Sequence, residues 1–139
     1  MWYRIEGTPA PKGSYRPVRN KRTGHTLFLP ASKREPAWRK AVRDTIKASN
    51  PTMIPKPVPV SVRVDFYLPR PKTVKRQYPT VPPDVDKLLR STLDGVTESG
   101  IIEDDAQIIE AYTRKMYATN GFTGCILSIQ RLSAQSDSV

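Results

Sequence analysis

The chain has 139 residues, with 23 Lys and Arg against 13 Asp and Glu and a net charge of +10. A single cysteine, Cys125, excludes an internal disulfide and a cysteine metal centre, and one histidine, His25, argues against a zinc site built on several N or S ligands. No apolar run approaches the ~20 residues that cross a bilayer, and the opening MWYRIEGTP lacks the apolar centre of a signal peptide. The expectation is a cytoplasmic or nucleoid-associated protein of one domain, residues 1–132, with a frayed tail at 133–139, no membrane partner and an anionic one, nucleic acid first.

Trp2 to Glu6 alternates and stops at Gly7, which predicts a short strand. Thr8 to Arg22 carries Lys12, Arg16, Arg19, Lys21 and Arg22 among Pro9, Pro11, Gly13 and Pro17. It reads as a basic loop that cannot form helix and that contacts phosphates, because clustered cations repel unless a polyanion screens them. Thr26 to Leu29 is a brief strand. Ser32 stands as N-cap with Glu35 three residues on, and Trp38, Val42, Thr45 and Ile46 make the apolar stripe of a helix of about four turns that ends near Asn50-Pro51. After a proline-rich connector, Val58 to Tyr67 alternates cleanly and predicts the central strand. Leu68 to Pro83 is a second basic loop, with Arg70, Lys72, Lys75 and Arg76, and Tyr78 available to stack. Val85, Leu88, Leu89, Thr92 and Val96 define another helix, ended by Gly100, and Glu103 to Asp105 form a turn. Ile108 to Tyr117 and Phe122 to Leu132 read as strands joined in a hairpin at Asn120-Gly121. The fold class is α+β, a small mixed sheet of about four to five strands packed with two main helices.

Eight of the acidic residues lie between Asp84 and Glu110 against two cations, Lys87 and Arg90. That segment carries −6, so the rest of the chain carries +16. A dense acidic block in a basic protein suggests carboxylates around a divalent cation. Mg²⁺ takes oxygen ligands, can activate a water against a phosphodiester and can offset charge on the leaving oxygen. Asp84 and Asp86 converge on one ion if the first precedes the helix and the second lies in its first turn; Asp84 alone could equally be a helix cap. The Asp104-Asp105 pair joins them only if the chain folds back. The Asp-x-Asp pattern by itself is weak, and an EF-hand is ruled out by Leu88 at a position that needs an oxygen ligand.

The ordered stretch Pro83-Asp84-Val85-Asp86-Lys87-Leu88-Leu89-Arg90, then Leu93-Asp94, Gly100 and Asp104-Asp105-Ala106-Gln107, resembles the RusA family of Holliday-junction resolvases of phages and prophages. The Gly7-Thr8-Pro9 turn and Leu68-Pro69-Arg70-Pro71 are similar in order as well. The resemblance implies a small α+β homodimer that binds four-way DNA junctions and makes paired nicks with Mg²⁺, Mn²⁺ being a substitute. It maps the family's metal and catalytic aspartates onto Asp84, Asp86 and Asp105, with Asp104 as a fourth carboxylate. The family's lysine falls on Arg90 and its asparagine on Lys87, both departures. Arg90 remains charged and cannot donate a proton near neutral pH, so its expected role is electrostatic, alongside ion pairing to Asp86 or Asp94. Lys87 joins the DNA-contacting cations. Two other readings stay open: a non-catalytic nucleic-acid-binding module, and a nuclease for other branched DNA.

Overall fold

A computed structural model describes residues 1–13, 15–30 and 33–133, with backbone alone for 15–18 and 27–30. The expected N-cap at Ser32 and nearly all of the expected tail, from Ala134 on, lie outside these residues.

The clean alternation at Val60 produces β4 (Val60–Leu68), whose Val60, Val62, Val64, Phe66 and Leu68 are buried on one face. It is the centre of a four-stranded sheet. On one side β4 pairs in parallel with β5 (Ile108–Tyr117), and on the other it pairs antiparallel with β6 (Gly124–Arg131). β6 in turn pairs antiparallel with β1 (Trp2–Glu6), so the order is β1-β6-β4-β5. The parallel step from β4 to β5 requires a crossover, and α2 (Val85–Glu98) supplies it. α1 (Glu35–Ala48) lies beside α2, and the two helices cover the valine face of the sheet. α1 begins at Glu35 with Arg34 as N-cap, late enough for Pro36 to sit in the first turn, where its missing N–H costs nothing.

Two expectations change. The first basic loop contains β2 (Tyr15–Arg19), paired antiparallel with β3 (Thr26–Pro30), so it is a two-stranded arm separate from the main sheet. Pro17 is tolerated because the ribbon has only two strands and an open edge on each. The second change is the terminal hairpin. Asn120 and Gly121 do turn the chain, with Gly121 at φ +84° and the Phe122 amide donating to Asn120 Oδ1. Yet β5 and β6 lie on opposite sides of β4, and the link crosses the end of β4, where the Ala118 amide donates to the Leu68 carbonyl. Burial explains the arrangement. β6 buries Cys125, Leu127 and Ile129 and belongs inside the sheet, whereas β5 is largely exposed and makes an edge.

The two helices approach closely at Gly95. A Cβ there would stand 2.8 Å from Val42 Cβ and 2.9 Å from the Arg39 carbonyl oxygen. One turn earlier, the buried Trp38 Nε1 donates to Thr92 Oγ1 at 3.0 Å, and that hydroxyl donates to the Leu88 carbonyl. Gly95→Ala should therefore lower stability by about 1–3 kcal/mol through overpacking, even though alanine is the better helix former by about 1 kcal/mol. Urea unfolding measures this, and an unchanged midpoint would refute the tight crossing.

Candidate active site

The second basic loop delivers the chain to α2. Asp84 is the N-cap residue in backbone geometry, at φ −70° and ψ 142°, and its carbonyl accepts from the Lys87 and Leu88 amides. Its carboxylate makes no capping hydrogen bond. Capping alone therefore does not account for the aspartate. Its only ion pair among the described residues is a 3.7 Å contact to Lys87 Nζ. Asp86, in the first turn, is exposed and makes no ion pair among the described residues. The helix N-terminus, with its unpaired N–H groups, holds both charges favourably. Lys115 on β5 anchors the loop, donating to the carbonyls of Val81 and Pro83 at 2.8 Å each.

The second acidic group lies past the other end of α2. Gly100, at φ +82°, turns the chain; Ile101 and Ile102 are buried, and Asp104 caps a short 3₁₀ turn at Asp105–Gln107. Gln107 clamps this turn. Its Oε1 accepts from the Glu103 and Asp104 amides at 2.8 and 3.0 Å, while its Nε2 donates to the carbonyls of Ile54, Pro55 and Val58. Asp104 Oδ1 accepts from the Ala106 amide at 2.9 Å. That amide, the Asp105 carboxyl and Lys56 hold the Asp104 pKa below its ordinary value. Asp105 opens onto a hollow of about 340 Å³ with Lys12, Asp94, Glu98 and Glu103 on its walls. Asp94 is occupied there by Lys12 at 2.5 Å, and Glu98 by Arg39 and Arg43.

Asp84 and Asp86 thus stand at the start of α2 and Asp104 and Asp105 at the turn beyond its end, and the structure does not gather the two pairs in one chain. The 14 residues of α2 span about 20 Å between them. Among the described residues, no three Asp, Glu, His or Cys side chains stand close enough to hold a metal ion. The donors suit a hard cation, being oxygens only. Their separation does not suit one ion in one chain. Arg90 is exposed and, among the described residues, pairs with neither Asp86 nor Asp94.

The cations fall into two sets. Arg19, Lys21 and Arg22 are exposed on the β2–β3 arm, and Arg16 belongs to its backbone-only part. Arg70, Lys72, Lys75 and Arg76 are exposed on the loop that ends at Asp84. Lys12 is tied to α2 by its amide, bonded to the Lys87 carbonyl, as well as by its ion pair.

The family model for endodeoxyribonuclease RusA matches residues 7–129. The chain belongs to the RusA family. It is accordingly an endodeoxyribonuclease that hydrolyses phosphodiester bonds, and the family's substrate is the branched DNA junction, cut with a divalent metal. A search of the curated proteins found no match. The RusA match takes in both carboxylate pairs, α2 and both basic segments. Sequence reasoning missed Lys115 and the Gln107 clamp. Nothing in a strand pattern marks Lys115, but a glutamine three residues after an N-capping Asp104 is a capping-box signal that was there to read.

Because the Asp104 pKa is lower in the folded protein, its charged form contributes stability above the ordinary value of 3.8, and that contribution is lost as pH falls through the lowered value. Protection of the Ala106 amide, its exchange compared with a free peptide at the same pH, should fall over that acid window, and Asp104→Asn should flatten the dependence. An acid response that persists in the variant would contradict the assignment.

Proposed function

We propose that this RusA-family chain works as a homodimer that binds four-way DNA junctions and introduces paired nicks, with Mg²⁺ as the cation and Mn²⁺ able to replace it. The observation that carries the reading is the pair Asp84 and Asp86, left free of capping and of strong ion pairs at a helix N-terminus, at the foot of a basic loop. Asp84, Asp86, Asp105 and Asp104 are the proposed metal and catalytic carboxylates. The bound cation would supply an activated water and offset charge on the leaving oxygen. Arg90, one turn along α2 from Asp86, would hold the scissile phosphate by charge, and Lys87 and the cations of the arm and loop would track the flanking backbone. Residues 1–132 act as one nuclease domain, working where DNA is, in the cytoplasm or nucleoid. No described helix is long and apolar enough to cross a membrane.

A two-fold dimer reconciles the two carboxylate pairs. Asp105 opens the short turn that leads into β5, and Lys115, near the far end of that strand, holds the loop of Pro83 next to Asp84. β5 is an open edge strand that exposes Ile109 and Tyr112. Two copies meeting with these strands antiparallel would set the start of one β5 against the end of the other. Asp104-Asp105 of one copy would then face Asp84 and Asp86 of its partner. The junction itself offers two equivalent strands to two such sites.

Asp84→Asn should bind a four-way junction as the parent does and make no nicks on a denaturing gel; nicking by the variant would refute its role. Parallel reactions on junction, flap and linear duplex distinguish a junction resolvase from a nuclease for other branched DNA, and metal-independent binding without products would support a non-catalytic module. Affinity should fall steeply with salt, by about 10³-fold or more between 50 and 200 mM if six or more phosphates are contacted. A flat dependence would contradict the phosphate-tracking arm and loop.

A further inference from the structure

A cavity of about 460 Å³ opens beside the active-site loop rather than between the carboxylates. It lies within the size range of pockets that enclose small ligands. Half of its lining residues are prolines, from the turn after β1, the loop after β4 and the approach to α2. Among the described residues, Arg34 and Arg76 are the charged ones lining it, and no carboxylate does. Pro83 joins it directly to Asp84.

Tyr117, at the end of β5, also lines this cavity and is only 8% exposed. Its hydroxyl is buried without a hydrogen-bond partner among the described residues. Buried hydroxyls are nearly always paired, and leaving one unpaired is destabilising. The guanidinium groups of Arg70 and Arg76 lie 5.6 and 5.8 Å from the Tyr117 ring centroid, so positive charge stands over the ring that lines this cavity.

We infer that this cavity receives one unstacked nucleobase of the junction next to the scissile phosphate, with the Tyr117 hydroxyl bonded to the base's polar edge and Arg34 and Arg76 on the flanking phosphates. This rests on the nuclease reading and extends it to base selection at the cut. Flat apolar walls suit the faces of a base, and a single hydroxyl suits its edge. Enzymes that take a base out of the stack read it by this combination of apolar contact and hydrogen bonding. The charge selects the ligand class: a cavity with two arginines and no acid favours a polyanion over an apolar peptide. A branch point supplies bases whose stacking is already interrupted, which lowers the cost of extrusion.

The test uses the full chain and junctions that carry 2-aminopurine at the point of exchange, first without divalent metal. Binding should raise the fluorescence as the base leaves the stack. A second set of junctions, with each natural base at that position, gives the ratio of fastest to slowest nicking in Mg²⁺. Tyr117→Phe should leave the melting temperature of the free protein equal or higher, since it removes an unpaired hydroxyl, and should shrink that ratio by about three- to tenfold. Val81→Trp, at an exposed wall position, should fill the cavity and abolish the fluorescence rise. Unchanged ratios and fluorescence in both folded variants, with nicking intact, overturn the base pocket and leave the nuclease reading standing. A fluorescence rise that Val81→Trp removes, in a protein that nicks no junction, supports the pocket and overturns the nuclease reading.

Discussion

The close crossing of α1 and α2 at Gly95 is the constraint on which the rest of the structure depends. It lets Val42 pack against the α2 backbone and brings Trp38 close enough to bond Thr92. α2 is held from the other side too, by Ser91 Oγ donating to the Ala10 carbonyl and by the Lys12 amide donating to the Lys87 carbonyl. A helix seated this firmly acts as a rigid spacer. It fixes Asp84 and Asp86 at one end and leads into Asp104 and Asp105 beyond the other, and no small adjustment within one chain brings the two pairs together.

Electrostatics separates structural acids from the candidate catalytic ones. Asp65 is buried between Arg63 and Arg114, Asp94 is paired with Lys12, and Glu98 is shared by Arg39 and Arg43. These charges are neutralised by the fold. Among the described residues Asp86 and Asp105 have no such cation, and Asp84 has only a long contact to Lys87. Exposed carboxylates a few residues apart remain mutually repulsive until a cation or a proton arrives. The surrounding body, strongly positive, is built to bring phosphates to the same place.

Much of this was legible in the chain. The valine alternation at Val60–Phe66 marks β4 because a strand buried on one face must repeat every second residue, and the Trp38, Val42, Ile46 stripe marks α1 for the analogous helical reason. Asp84, Asp86, Asp104 and Asp105 stand out by charge density alone. What stayed hidden depends on contacts distant in sequence. The insertion of β6 between β1 and β4 follows from burial on both sides, which a local turn signal at Asn120-Gly121 cannot convey. Proline and positive charge masked β2, since a two-stranded arm needs no apolar face. The separation of the carboxylate pairs follows from the straight run of α2 between them. The hydroxyl of Tyr117 looks unremarkable in a strand until its surroundings show that no described residue bonds to it.

In the proposed dimer two chains complete each other's sites, and mixing two inactive proteins tests that most directly. In a mixed dimer of Asp84→Asn and Asp105→Asn, a site shared between copies leaves one position with both aspartates intact and the other with neither. The account predicts that each variant alone is inactive and that the mixture nicks junctions again on one strand. A mixture as inactive as its components, with mixed dimers demonstrated in solution, would contradict it.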